Sequence, residues 1–164
     1  MKRLIYGLFV VILAVGCNQS QSGNPLPASI ADMDRNSVIQ GEDADKIITE
    51  LHRKVVTDQS NFIGKYSGQQ YSAILYITKY ENKDGALEDF RRMAERINKP
   101  EIGGSMGFQH VRPVPELGNH AYMTIQGKRV HYYFVKDGML YWLDVSPEKA
   151  TEVVEDFGTE EVGR

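Results

Sequence analysis

The chain's 164 residues suffice for one domain, and 41% apolar with 25% charged residues fits a globular fold rather than a largely disordered chain. Nineteen Lys and Arg against 22 Asp and Glu give a net charge of −3, which excludes the basic excess of a typical nucleic-acid binder. A single cysteine excludes a disulfide scaffold.

Met1-Lys2-Arg3 is a short basic start, and Leu4 to Val15 is an uncharged run of 12 residues. A spanning helix needs about 20 apolar residues, so the run is short for a span and suits the apolar core of a secretory signal peptide. It ends at Ala14-Val15-Gly16-Cys17, small residues leading to the one cysteine. Residues 1–17 resemble the signal peptide and lipobox of bacterial lipoproteins, with Ala14 standing where that family usually has Leu. The resemblance says nothing about activity. It implies cleavage before Cys17, lipidation of its thiol, an acyl chain such as palmitate on the new amino terminus, and hence a membrane partner. Each buried CH₂ contributes about 0.8 kcal/mol, and two chains already hold a protein stably. Asn18 replaces the Asp that keeps many family members on the inner membrane, so the resemblance favours the outer membrane in a cell that has one. The plainer alternative is a secretory signal with an incidental cysteine. Loss of residues 1–16 leaves 17 basic against 22 acidic residues, a body repelled by an anionic membrane surface.

Residues 17–40 read as the lipidated cysteine and a flexible tether. Asn18 to Ser29 is polar with Pro25 and Pro27, and only scattered apolar residues follow to Gly41. A single domain is expected over 41–158, with 159–164 as a disordered tail. Ile47, Ile48, Leu51 and Val55 predict a helix from Gly41 to about Val56, with Glu42, Asp43 and Asp45 at its positive end. After a polar loop, Tyr71 to Tyr80 reads as a strand. Asn82 to Gly85 turns the chain into an amphipathic helix over Ala86 to Asn98. Leu87, Phe90, Met93, Ala94 and Ile97 form its apolar side, Arg91, Arg92 and Arg96 sit on its solvated side, and Pro100 ends it. Gly103 to Gly107 resembles a phosphate loop in composition alone and reads as a flexible loop. Met106 to Val111 reads as a short strand.

Ala121–Gln126, Arg129–Lys136 and Met139–Val145 predict a three-stranded meander turning at Gly127-Lys128 (type II′) and Asp137-Gly138 (type I′). Ser146, Pro147 and Gly158 then mark the N-cap, first residue and stop of a last helix. The fold class predicted is α+β: an antiparallel sheet of four to five strands, ending in the meander, with helices packed mainly on one face.

Those two turns sort the meander's side chains. Ala121, Met123, Ile125, Val130, Tyr132, Phe134, Tyr141, Leu143 and Val145 share the face expected to be core under the two later helices. Tyr122, Thr124, His131, Tyr133, Val135, Leu140, Trp142 and Asp144 share the other. The candidate binding face is Tyr122, His131, Tyr133, Leu140, Trp142 and Asp144, too aromatic for an ordinary solvated sheet. Three uses stay open: cover by the helix near residues 42–56 or the linker, a protein or self-association surface, or a small-ligand groove. His131 opposite Asp144 is an acid–base pair without an identifiable nucleophile, so no catalytic residue is assigned. His110, His120 and His131 lack metal-ligand spacing, and neither metal nor cofactor is expected. The expectation is a lipid-anchored, non-catalytic envelope domain that binds a partner protein or supports an envelope assembly. A small-molecule or lipid-binding module using the aromatic face is the alternative, and an enzyme comes third.

Overall fold

The structure, a computed structural model, describes residues 23–52, 59–99 and 107–158. The predicted signal peptide, the lipobox with Cys17, the end of the helix expected to reach Val56, most of the Gly103–Gly107 loop and the 159–164 tail lie outside these residues. In chain order the elements are β1 (Ser29–Ile30), β2 (Met33–Gln40), α1 (Glu42–His52), β3 (Gln59–Ser67), β4 (Ser72–Tyr80) and α2 (Lys83–Asn98). Then come β5 (Phe108–Pro113), a 3-10 turn (Pro115–Leu117), β6 (Ala121–Gln126), β7 (Arg129–Lys136), β8 (Met139–Val145), a second 3-10 turn (Pro147–Lys149) and α3 (Ala150–Phe157).

All eight strands form one antiparallel sheet in the order β1-β2-β3-β4-β8-β7-β6-β5, curled into a half-barrel. Two meanders, β1–β4 and β5–β8, are thus joined edge to edge by the pairing of β4 with β8, from Ala73 opposite Val145 to Lys79 opposite Met139. The fold is mostly strand. This corrects the expected α+β sheet of four to five strands with helices mainly on one face: among the described residues there are eight strands, and helices pack on both faces.

The missing strands lie where the sequence reads as tether and polar loop. Folded chain begins before residue 41: Leu26 is buried, Arg35 donates to its carbonyl at 2.5 Å, and β1 and β2 follow. Their hairpin turns at Ala31-Asp32, both at positive φ (46° and 62°), a bend usually marked by Asn-Gly. β3 is broken in pattern by Gly64. There a Cβ would lie 2.7 Å from the ring of Tyr66, which folds back along its own strand so that its hydroxyl donates to Pro27 O at 3.1 Å. Burial raises the Tyr66 phenol to about 12.

The meander register is the one its turns dictate. Phe134 faces Tyr141, Tyr132 faces Leu143 and Met123 faces Tyr132, with positive φ at Gly127, Asp137 and Gly138. Its predicted core face is one wall of the main core, which gathers residues from both ends of the sheet: Ile30 and Met33, Phe62 and Leu75, Leu143 and Phe134, Val114 and Leu117. A face on which both sheet ends meet is the concave one, and α3 closes it through Val153. Tyr132 donates to Ala150 O and Lys136 to Phe157 O, both at 3.0 Å, fixing α3 at its two ends. Ser146 does not cap that helix. Its Oγ accepts instead from Ser72 N and Arg129 Nη1, both at 3.0 Å.

α1 and α2 cover the convex face. Ala44 and Ile48 of α1 pack on Ile63, and Phe90, Ala94 and Ile97 of α2 on Tyr133 and Leu140. α2 starts three residues earlier than its apolar stripe, because the Asn82 side chain caps Gly85 N at 2.8 Å.

Candidate functional site

Alternation along β6, β7 and β8 sends Tyr122, His131, Tyr133, Leu140, Trp142 and Asp144 to the convex face, and the register makes them neighbours. Tyr122 stacks on Tyr133 (centroids 5.7 Å apart, planes at 22°), Tyr133 on Trp142 (5.5 Å, 15°), and Trp142 meets the His131 ring at 5.4 Å. The result is a ladder of rings running across three strands.

That ladder is the floor of a second core. Phe90 of α2 lies 6.0 Å from Tyr122 and 5.9 Å from Tyr133, and Phe108 of β5 sets its edge on Trp142 (5.7 Å) and His131 (5.9 Å). Tyr133 is fully buried, His131 is 4% exposed and Leu140 7%, while Tyr122, Trp142 and Asp144 are half-buried at the margin. Intramolecular cover is therefore present, and α2 supplies it rather than α1 or the linker. The expectation that both later helices cover the other face is corrected: α3 does so, and α2 crosses to the aromatic side. The sequence shows the apolar stripe of α2 through Phe90, Ala94 and Ile97, but periodicity alone does not say which sheet face that stripe covers.

His131 and Asp144 are cross-strand partners, yet Nδ1 and Oδ2 stand 4.0 Å apart, beyond hydrogen-bond reach. Asp144 is held instead by Arg129, whose Nε donates to Oδ1. The same guanidinium donates to the Ser72 and Ser146 hydroxyls (3.1 and 3.0 Å) and to Ser72 O (3.0 Å). Thr124, opposite His131, gives its hydroxyl proton to Gln109 O at 2.8 Å. Both His131 nitrogens and the Tyr133 hydroxyl are left without a partner. Burial pushes the imidazole below its usual value, Asp144 opposes this and Arg129 adds to it. Burial also raises the Tyr133 phenol, with Tyr122 a smaller contributor. Both directions favour the uncharged forms of two enclosed groups packed among rings.

Among the described residues no three His, Cys, Asp or Glu side chains group as metal ligands. A cleft that the sequence reading misses, of about 290 Å³, opens where the β5 end and its 3-10 turn meet α3. Arg112, Glu116 and Thr151 line it together with Met123, Tyr132 and Val154. Arg112 is exposed and makes no ion pair with a described residue. The walls come from segments nearly 40 residues apart, and Pro113 and Pro115 show in the sequence as breaks alone. Compared with known proteins, the chain matches no family model, no curated protein and no solved structure.

Proposed function

We propose that the chain is a lipid-anchored cell-envelope protein, held at the outer membrane where one exists, whose folded part binds a protein partner without catalysing a reaction. The anchor rests on Ala14-Val15-Gly16-Cys17. From Cys17 to Leu26, the first buried residue among the described ones, the chain can reach at most about 30 Å, so the domain works close to the bilayer. The observation that carries the non-catalytic half is the commitment of Asp144 to Arg129, which leaves His131 enclosed by Phe108 and Trp142. Two experiments test the reading. Labelled palmitate is incorporated into the full chain and lost with Cys17→Ser, together with membrane sedimentation. Mild cross-linking in intact envelopes then yields a discrete adduct of the anchored chain. Absence of label, or of any adduct, overturns it.

A second reading attaches to the cleft rather than to the aromatic face, which α2 occupies. Arg112 beside an apolar floor of Met123 and Val154 suits a small carboxylate with a short hydrocarbon body. Hexanoate would raise the melting temperature of the wild type and leave that of Arg112→Ala unmoved.

A further inference from the structure

The two ends of the sheet are treated differently. β5 ends in Pro113, carries His110 at φ 56° and slips register between Gln109 and Arg112, features that discourage another strand from adding. At the other end β1 covers little of β2. Ile30 pairs with Met33 and Ser29 with Asp34, and Arg35 N to Ala28 O (2.9 Å) is the last rung. The next residue, Pro27, has no N–H to give, and its carbonyl is taken by Tyr66 as the chain folds onto the concave face through Leu26. From Asn36 to Gln40 the outer edge of β2 has no strand beside it among the described residues.

This open edge reads Asn36-Ser37-Val38-Ile39-Gln40, without charge or proline. Val38 is 40% exposed, one of two large apolar side chains so exposed among the described residues. Gly41 at φ 64° then turns the chain into α1, whose Ala44 and Ile48 pack with Ile39 and Ile63 on the convex face of the sheet rather than continuing the edge.

We infer that this edge pairs with the same edge of a second copy. An antiparallel pairing about a two-fold axis at Val38 sets Val38 against Val38, Ser37 against Ile39 and Asn36 against Gln40. No like charges meet, and the two sheets continue as one. The inference deepens the proposed function by naming its partner, and rests on that reading for one term. Anchored copies share the plane of a membrane, which raises their effective concentration for so short an interface.

The test uses the full chain in detergent micelles. Sedimentation equilibrium reads a dimer, and Val38→Lys, which places two ammonium groups across the axis, weakens it at least tenfold while far-UV circular dichroism and the melting curve stay unchanged. Val38→Cys in a Cys17→Ser background forms a disulfide dimer on mild oxidation, since cross-strand neighbours lie within bridging distance, and Gln70→Cys at an exposed site does not. A monomer at every concentration, or a dimer indifferent to Val38→Lys, overturns the inference. So does an envelope adduct with a different protein that persists in Val38→Lys, although that result leaves the proposed function standing. Loss of palmitate label with a persisting dimer sinks the function and leaves the pairing intact.

Discussion

The backbone N–H of Ala31 donates to the Asp156 carboxylate at 2.6 Å, tying together residues 125 positions apart. Ala31 is buried at φ 46°, in a turn whose second residue, Asp32, lies 3.7 Å from Lys149. The N-terminal hairpin is thus docked on the helix that closes the concave face. Asp156→Ala leaves a buried donor unpaired in an already strained turn, at a cost of about 1–3 kcal/mol. Urea denaturation will show the lowered midpoint; an unchanged midpoint would mean that the hairpin does not depend on this bond.

That contact illustrates what sequence reading reaches here. The β6–β8 register was legible because Gly127 and Asp137-Gly138 set both bends locally and the side chains alternate strictly between them. The Ala31-Asp32 bend was not, because its conformation is imposed by Asp156 and Lys149 from the far end of the chain. β3 was hidden for a similar reason: Gly64 and Asn61 weaken its pattern, yet Tyr66 fills the space above Gly64, and Asn61 bridges Asp45 and Thr78 at 2.8 Å each. For the candidate site, the sequence placed all six side chains on one face correctly, and what it left open was the object above them. α2's stripe of Phe90, Ala94 and Ile97 fits the aromatic ladder, and that fit is a tertiary fact.

Phe90 is the keystone of that second core, touching Tyr122, Tyr133 and His120 at 5.8–6.0 Å. Phe90→Ala removes a buried ring and costs about 3–5 kcal/mol. Trp142 is the chain's one tryptophan, so its fluorescence reports the face directly. Emission shifts to the red in the folded variant as α2 loosens, and an unshifted spectrum would mean that β5, through Phe108, shields Trp142 without help from α2.

His131 makes stability depend on pH in a definite direction. Its folded value lies below the unfolded value of about 6.5, so the unfolded chain binds the proton more readily. The contribution is intact above that value and is lost as pH falls from about 6.5 through the folded value. The groups facing the ring are Asp144, which favours the charged form, and Arg129, which opposes it; Phe108 and Trp142 supply the apolar enclosure. Melting temperatures between pH 7.5 and 5.5 should fall more steeply for the wild type than for His131→Phe. Parallel curves would assign the acid sensitivity to other groups.

Arg129 connects these effects, because it fastens the seam between the two meanders and also holds the proton off His131. Its guanidinium reaches Ser72 at the start of β4 and Asp144 and Ser146 at the end of β8, so Arg129→Met leaves a half-buried carboxylate unpaired and costs about 2–4 kcal/mol. Arg129→Lys keeps the charge but not the planar fork that spans three partners, and recovers less than half of the loss. With Arg129 gone, Asp144 is free to turn the 4.0 Å approach to His131 into an ion pair, and the imidazole becomes easier to protonate. Histidine ring shifts followed by NMR in Arg129→Met should therefore titrate at higher pH than in the wild type, even as the variant melts earlier. A titration that stays put would show that enclosure by Phe108 and Trp142, rather than the Arg129 charge, sets the protonation of this ring.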